Sequence, residues 1–329
     1  MDDDKQPTVP KVLKTLARLL GTDVKSNRLD IPEKYGKGYC AGFVFNEDIH
    51  MLISNYELYE NVVIENPEVD TSRRRIFFKF QNIFPKSDMA KEEGYMTKIP
   101  SVLIATSRIN TDEVIIIHSN TAVINIEVNA DYLKGLFDSS KTSPVLQSLL
   151  QNAQPLLFEQ ILFSSLQRIV DELVIKPTGG TFELFFLRIK AEELICRLLM
   201  ELERRDEQRI YALNSHDIQA LYAVKEWMLK HLDTPPVISE LSASVHMSPS
   251  KLKRLFKQIF GNSIFNYYQE FRMKEAARLL REGNLSVSDV GYKLGFINLS
   301  HFSRVFKQHI GIKPKKYSAT KDDQKAFND

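Results

Sequence analysis

Residues 250–261, Ser-Lys-Leu-Lys-Arg-Leu-Phe-Lys-Gln-Ile-Phe-Gly, return fifty residues later as Ser-His-Phe-Ser-Arg-Val-Phe-Lys-Gln-His-Ile-Gly at 300–311. A shorter apolar segment precedes each copy: Ile238, Leu241, Ser242 and Val245 before the first, Val287, Val290, Gly291 and Leu294 before the second. Six residues past each closing glycine stands a tyrosine, Tyr267 or Tyr317. A repeat of this kind constrains the fold more than any local propensity, because each copy must form the same supersecondary unit. Short helix, tight turn and basic helix, used twice, predict two helix-turn-helix units.

Within the longer copies the apolar positions are Leu252, Leu255, Phe256 and Ile259, then Phe302, Val305, Phe306 and Ile310. That spacing gives one buried stripe per helix. The remaining face carries Ser250, Lys253, Arg254 and Lys257 in one unit, and Asn298, Ser300, Ser303, Arg304 and Lys307 in the other. Short polar groups followed by long cations suit base edges and phosphates, and arginine can fork onto guanine. Ser248-Pro249 supplies an N-cap and a first-turn proline, and Asn298 a second N-cap. Ser242 and Gly291 are small enough for the two helices of a unit to cross closely. Gly295 suits a left-handed turn, where His246 in the first unit is less comfortable. Between the units, Phe265 to Arg281 reads as one helix ending at Glu282-Gly283-Asn284. At about 1.5 Å per residue it would be roughly 25 Å long, a spacer that sets two recognition helices near one DNA turn apart.

From about Asp217 to Tyr317 the chain resembles the DNA-binding domain of AraC/XylS-type transcription regulators. The resemblance rests on Val290-Gly-Tyr-Lys-Leu-Gly-Phe296, Ser300-His-Phe-Ser-Arg-Val-Phe-Lys307 and Gly311-Ile-Lys-Pro-Lys-Lys-Tyr317. It departs at Ser242 and Gly291, where the family commonly has alanine, and at Ser318, where arginine is usual and one phosphate contact is lost. The resemblance implies that Ser250, Lys253, Arg254, Lys257, Asn298, Leu299, Ser300, Ser303, Arg304 and Lys307 face double-stranded DNA.

Charge follows the same division. Residues 215–329 hold 18 Lys+Arg against 11 Asp+Glu, a net +7, whereas the rest of the chain is −5 within an overall +2. A near-neutral chain of 329 residues therefore contains a basic C-terminal part and an acidic N-terminal one.

The N-terminal part is β-rich, after a helical pattern from Pro10 to Leu20. Strand-like runs fall at 39–45, 50–54, 60–64, 75–80, 101–107, 113–117 and 122–128, with breaks at Asn-Pro, Phe-Pro, Ile-Pro and Ser-Asn. Seven or eight short strands suggest a small barrel or double-sheet roll. The resemblance implies a cupin-like roll that binds an effector. Leu156, Ile161, Leu162, Leu166, Ile169, Val170 and Leu173 then suggest one long helix, and Phe185, Phe186, Ile189, Leu194, Ile195, Leu198, Leu199 and Leu202 a second. Pro177-Thr-Gly-Gly180 would turn between them, giving a helical hairpin. Its apolar faces either cover the roll or, as the resemblance favours, join two subunits. Arg204 to Arg209 is polar and reads as a linker.

The expected fold class is thus α+β: an N-terminal cupin-like β-roll with a helical hairpin, then an all-α C-terminal domain with two helix-turn-helix units joined by a long helix. The expected domains are an effector-sensing roll at 1–152, a dimerising hairpin at 153–205, a linker at 206–214, a DNA-binding domain at 215–320 and a tail at 321–329. The expected function is an effector-responsive transcription activator. A ligand-independent DNA-binding co-regulator or architectural protein is the alternative. By the resemblance, the partners are DNA, a small-molecule effector, RNA polymerase and a second copy of the chain, and the setting is a bacterial cytoplasm, with the nucleoid when bound.

Other features carry less. Arg73-Arg74-Arg75 fits a solvated loop better than an anionic effector site, and His50 and His118 lack companions for a metal site. Trp227, Tyr267 and Tyr317 read as packing residues, His309 as bordering the core, and His301 as outward or on a phosphate. Cys40 and Cys196 are too few for a disulfide framework or a thiolate metal site. No phosphate loop, nucleophile elbow or His-Glu-x-x-His motif occurs, so no enzyme activity and no cofactor are expected. The chain opens Met-Asp-Asp-Asp-Lys without a signal-like apolar stretch and has no 18-residue apolar run, so no membrane span is expected.

Overall fold

A computed structural model describes residues 9–65, 74–84, 99–107, 114–117, 120–162, 164–175 and 180–325. Among these residues the chain forms two compact units, the first ending at Ser215 and the second beginning at His216.

In the first unit, α1 (Lys11–Leu20) precedes β1 (Arg28–Asp30), β2 (Gly36–Val44), β3 (Ile49–Leu58), β4 (Val62–Glu65), β5 (Arg75–Gln81), β6 (Ser101–Thr106), β7 (Val114–Ile117) and β8 (Asn120–Asn129). Then follow α2 (Ala130–Gly135), α3 (Pro144–Gln151), β9 (Leu157–Ile161), α4 (Ser164–Ile175) and α5 (Glu183–Glu203). The pairing is nested: β3 with β8, β4 with β7, and β5 with β6. Since β5 also pairs with β8, an antiparallel seven-stranded sheet runs β1-β2-β3-β8-β5-β6-β9, beside a two-stranded β4-β7 ladder.

Strand periodicity divides the large sheet into two faces. Ile76, Phe78, Phe80, Val102, Ile104, Ile124, Ile126 and Phe158 are fully buried in one cluster with residues of α3, α4 and α5. A second cluster forms where Leu13, Leu16, Ala17 and Leu20 of α1 meet Leu29, Ile31, Cys40, Tyr56 and Leu58. Cys40 donates weakly to Ser54 Oγ at 3.8 Å, and burial pushes its thiol pKa up to about 11. Both cysteines are free thiols.

Three expectations change here. Leu156 and Ile161 do not begin a long helix: β9 occupies 157–161 as an edge strand against β6, and the helix starts at Ser164. A short apolar run fits either element, and the open edge of β6 decides the outcome. Arg75 is not a solvated loop residue. It is buried at the start of β5, donates to the Asp48 and Glu47 carbonyls at 3.1 Å each, and lies 3.4 Å from the Glu127 carboxylate. Arg74 is exposed and paired with Asp131, while Arg73, His118 and the 177–179 part of the hairpin turn lie outside the described residues. The polar stretch 204–209 is also tied down. Arg205 Nη2 donates to Glu159 O at 2.9 Å beside the Phe158 ring, and burial lowers its pKa to about 10. Beyond it, Leu213 is buried and its N–H donates to Pro155 O.

The second unit holds α6 (Ser215–Lys230), α7 (Ile238–Ser244), α8 (Pro249–Phe260), α9 (Ile264–Glu282), α10 (Val287–Lys293), α11 (Leu299–Ile310) and α12 (Pro314–Lys325). The long α9 matches the 265–281 expectation within a residue at each end and packs against α8, α10, α11 and α12. Tyr268, Phe271, Met273, Ala276, Ala277, Leu279 and Leu280 make its buried side.

Candidate nucleic-acid interface

Each recognition helix begins at a side-chain cap. Ser248 accepts from Lys251 N and Pro249 occupies the first turn of α8, while Asn298 accepts from His301 N at 3.0 Å to start α11. Such caps satisfy donors that the first helical turn leaves open, worth about 1 kcal/mol each. Gly261 and Gly311, both at positive φ, end the helices. The α10 helix carries a reciprocal capping box between Ser286 and Asp289, and these hydrogen bonds lower the Asp289 pKa.

The two crossings rest on small residues. Ser242 is buried and returns its hydroxyl to Ser239 O. A Cβ on Gly291 would come within 2.7 Å of Leu299 Cδ2 and 3.2 Å of Phe302 Cδ1. The turns share one conformation: His246 at φ 53° and Gly295 at φ 72°, followed by buried Met247 and Phe296. Met247 N donates to Ser242 O, and Phe296 N to Gly291 O.

The frame beneath is aromatic in both units. Tyr267 lies 5.4 Å from Phe256, 5.3 Å from Phe260 and 4.5 Å from Phe271. Tyr317 packs edge-on against Phe306 and accepts from Arg281. Both tyrosines therefore pack, as their spacing suggested. Trp227 is half-buried and stacks on His231.

Ser250, Lys253 and Arg254 are exposed along α8, with Lys257 half-buried. Asn298, Ser300, Arg304 and Lys307 are exposed on or beside α11, and Ser303 is half-buried. Leu299 is half-buried, with Cδ2 beside Gly291 at the α10–α11 crossing. His309, expected at the core border, is exposed because it falls on the polar side of the last turn. His301 is exposed, edge-on to Phe296.

Two supporting residues escape a reading of the sequence. Lys251, within the basic face, is held by the buried Asp217 at 2.7 Å, tying α6 to the start of α8. Arg272 of α9 is buried, donates through Nε and Nη2 to Leu294 O, and stacks 3.7 Å from the Phe296 ring centroid. Burial lowers its pKa. Both look in sequence like ordinary solvated charges. Among the described residues no His, Cys, Asp and Glu group could hold a metal ion, and no helix is long and apolar enough to cross a membrane.

Two basic helices, each crossed by a shorter helix and both braced on α9, define a double helix-turn-helix DNA-binding domain. Residues 241–320 match the family described as helix-turn-helix domain. The regulator GbdR of Pseudomonas aeruginosa is 29% identical over 116 residues, 34% of this chain and 31% of that protein. The arabinose operon regulatory protein of Escherichia coli is 34% identical over 82 residues, 25% of this chain and 28% of that one. A solved AraC-type regulator structure from Chromobacterium violaceum is 29% identical and covers 33% of this chain and 96% of that one, with a TM-score of 0.31. The chain thus spans under a third of the length of the two named regulators. Its second unit is an AraC-type helix-turn-helix domain.

Proposed function

We propose that the chain is a sequence-specific, effector-responsive regulator of transcription, whose two recognition helices enter adjacent major grooves of one DNA site. The observation that carries this reading is the duplicated, capped basic helix with Arg254 and Arg304 at matching exposed positions. Ser250, Lys253, Lys257, Asn298, Leu299, Ser300, Ser303 and Lys307 complete the surface offered to DNA. Genomic-fragment selection with the purified full chain tests it. A bipartite motif should emerge, its halves about one helical turn apart. Arg254→Ala and Arg304→Ala should each weaken binding to that motif by roughly 1–3 kcal/mol, about 5- to 150-fold. Retention of full affinity by both variants would overturn the assignment.

The N-terminal unit is the sensor in this reading. Nested β3–β8, β4–β7 and β5–β6 pairing supports a cupin-like double-sheet roll, a fold suited to one small ligand. Effector binding then favours one domain arrangement over another and so activates transcription with RNA polymerase, in the cytoplasm at the nucleoid. A metabolite that raises the melting temperature of the full chain and also changes operator affinity supports the sensor. Operator binding indifferent to every stabilising metabolite favours a ligand-independent co-regulator.

A second copy of the chain is the other partner, through the region 153–205. One side of α5 is buried through Leu187, Ala191, Leu194, Ile195, Leu198 and Leu202. Phe185, Ile189 and Met200 are 64%, 44% and 55% exposed, and exposed Cys196 lies on the same face, the successive steps being four, seven and four residues. A helix of this length spans roughly 30 Å, enough for a paired-helix interface. Light scattering should find a dimer that Ile189→Glu converts to a monomer with an unchanged circular dichroism spectrum. A monomeric parent chain would remove the proposal.

A further inference from the structure

The two helix-turn-helix units are not equal in length. From Leu241/Val290 to Met247/Phe296 they align without a gap, and the caps Ser248 and Asn298 also correspond. Between Phe296 and Asn298, however, the second unit has one additional residue, Ile297, with no counterpart between Met247 and Ser248. Its relative exposure is 97%, the highest of the large apolar side chains exposed in the described residues.

Exposed apolar residues are ordinary when scattered singly. This one has two further attributes. It contributes nothing evident to the turn: the left-handed position is filled by Gly295, the buried anchor by Phe296 and the cap by Asn298. A β-branched residue is also a poor choice where turn chemistry favours Gly, Asn, Asp or Ser. It stands directly before the N-terminus of α11, the end of a recognition helix that meets base edges. The major-groove feature that an aliphatic side chain can recognise is the C5-methyl group of thymine.

We propose that Ile297 is a specificity-determining residue that packs on a thymine methyl in the part of the site read by the second unit. The inference rests on the DNA-binding reading given above. It deepens that reading by making the two half-sites unlike: an apolar contact for α11 and none for the corresponding place of α8.

Site selection with the full chain and with Ile297→Ala, followed by thymine-to-deoxyuridine replacement along the selected sequence, tests it. One thymine in the second half-site should be methyl-dependent, its deoxyuridine form binding the parent chain about fourfold more weakly, the change expected for one buried methyl group. Ile297→Ala should bind both forms equally and Ile297→Val should restore the difference, with melting temperatures unchanged throughout. If the parent chain selects a motif but Ile297→Ala shares its preference and its methyl dependence, the inference falls and the DNA-binding reading stands. If the parent chain selects no motif, and the arginine variants bind as it does, both fall together.

Discussion

Gly295→Ala should unfold the second helix-turn-helix unit at temperatures where the parent chain is intact. At φ 72° an alanine is strained by about 1–2 kcal/mol. The larger effect is contact: its Cβ would lie 2.0 Å from Asp233 O and 2.8 Å from Asp233 C, backbone atoms of the α6–α7 connection that cannot rotate away. Relief requires moving that connection or the turn itself. A total loss of about 3–5 kcal/mol is expected, in the range reserved for backbone strain and overpacking. For a unit of this size it lowers the melting temperature by roughly 15 °C or more. Thermal unfolding of the full chain, followed by circular dichroism, checks this, and a shift below about 3 °C would show that the turn relaxes freely. His246, at the equivalent place, faces only the milder cost of a left-handed non-glycine residue.

Arg272→Ala should be the next most damaging change, by about 2–4 kcal/mol, because it leaves the Leu294 carbonyl without its guanidinium donor and uncovers the Phe296 ring. Leu294 is the C-cap of α10, so the arginine holds the end of one helix at the distance its turn requires. Arg272→Lys should recover little, since an ammonium group cannot both fork onto a carbonyl and stack on an aromatic face. Urea titration of the three chains gives the order. Equal midpoints for parent and Arg272→Ala would show that water replaces the guanidinium without loss.

The helix-turn-helix units were legible because several local signals agree at each place: an apolar stripe, a cap, a closing glycine and a repeated tyrosine. Ser248, Asn298, Gly291 and Gly295 all act as their residue types suggest. The exposed face of α8 was readable for the same reason, whereas the packing of Leu299 beside Gly291 was not, because that partner lies on another helix. The N-terminal unit was less legible. Its strands showed in β-branched and aromatic runs, but β9 has helical spacing through to α4 and is a strand only because β6 offers an edge. Arg75, Asp217 and Arg272 share a further obstacle. A charged residue in a polar run reads as solvated until the carbonyls and carboxylates that surround it come from distant parts of the chain.

Under the proposed DNA-binding reading, one additional residue in one of two otherwise matching turns makes the two half-sites unlike. Two identical modules related by a two-fold axis would read their site alike in both directions. With Ile297 beside one helix only, and with Arg254 and Arg304 set among different neighbours, a sequence that fits the modules in one order is mismatched in the other. Exchanging the two half-sites, with no base changed in composition, should then weaken binding, because each helix meets the bases suited to the other.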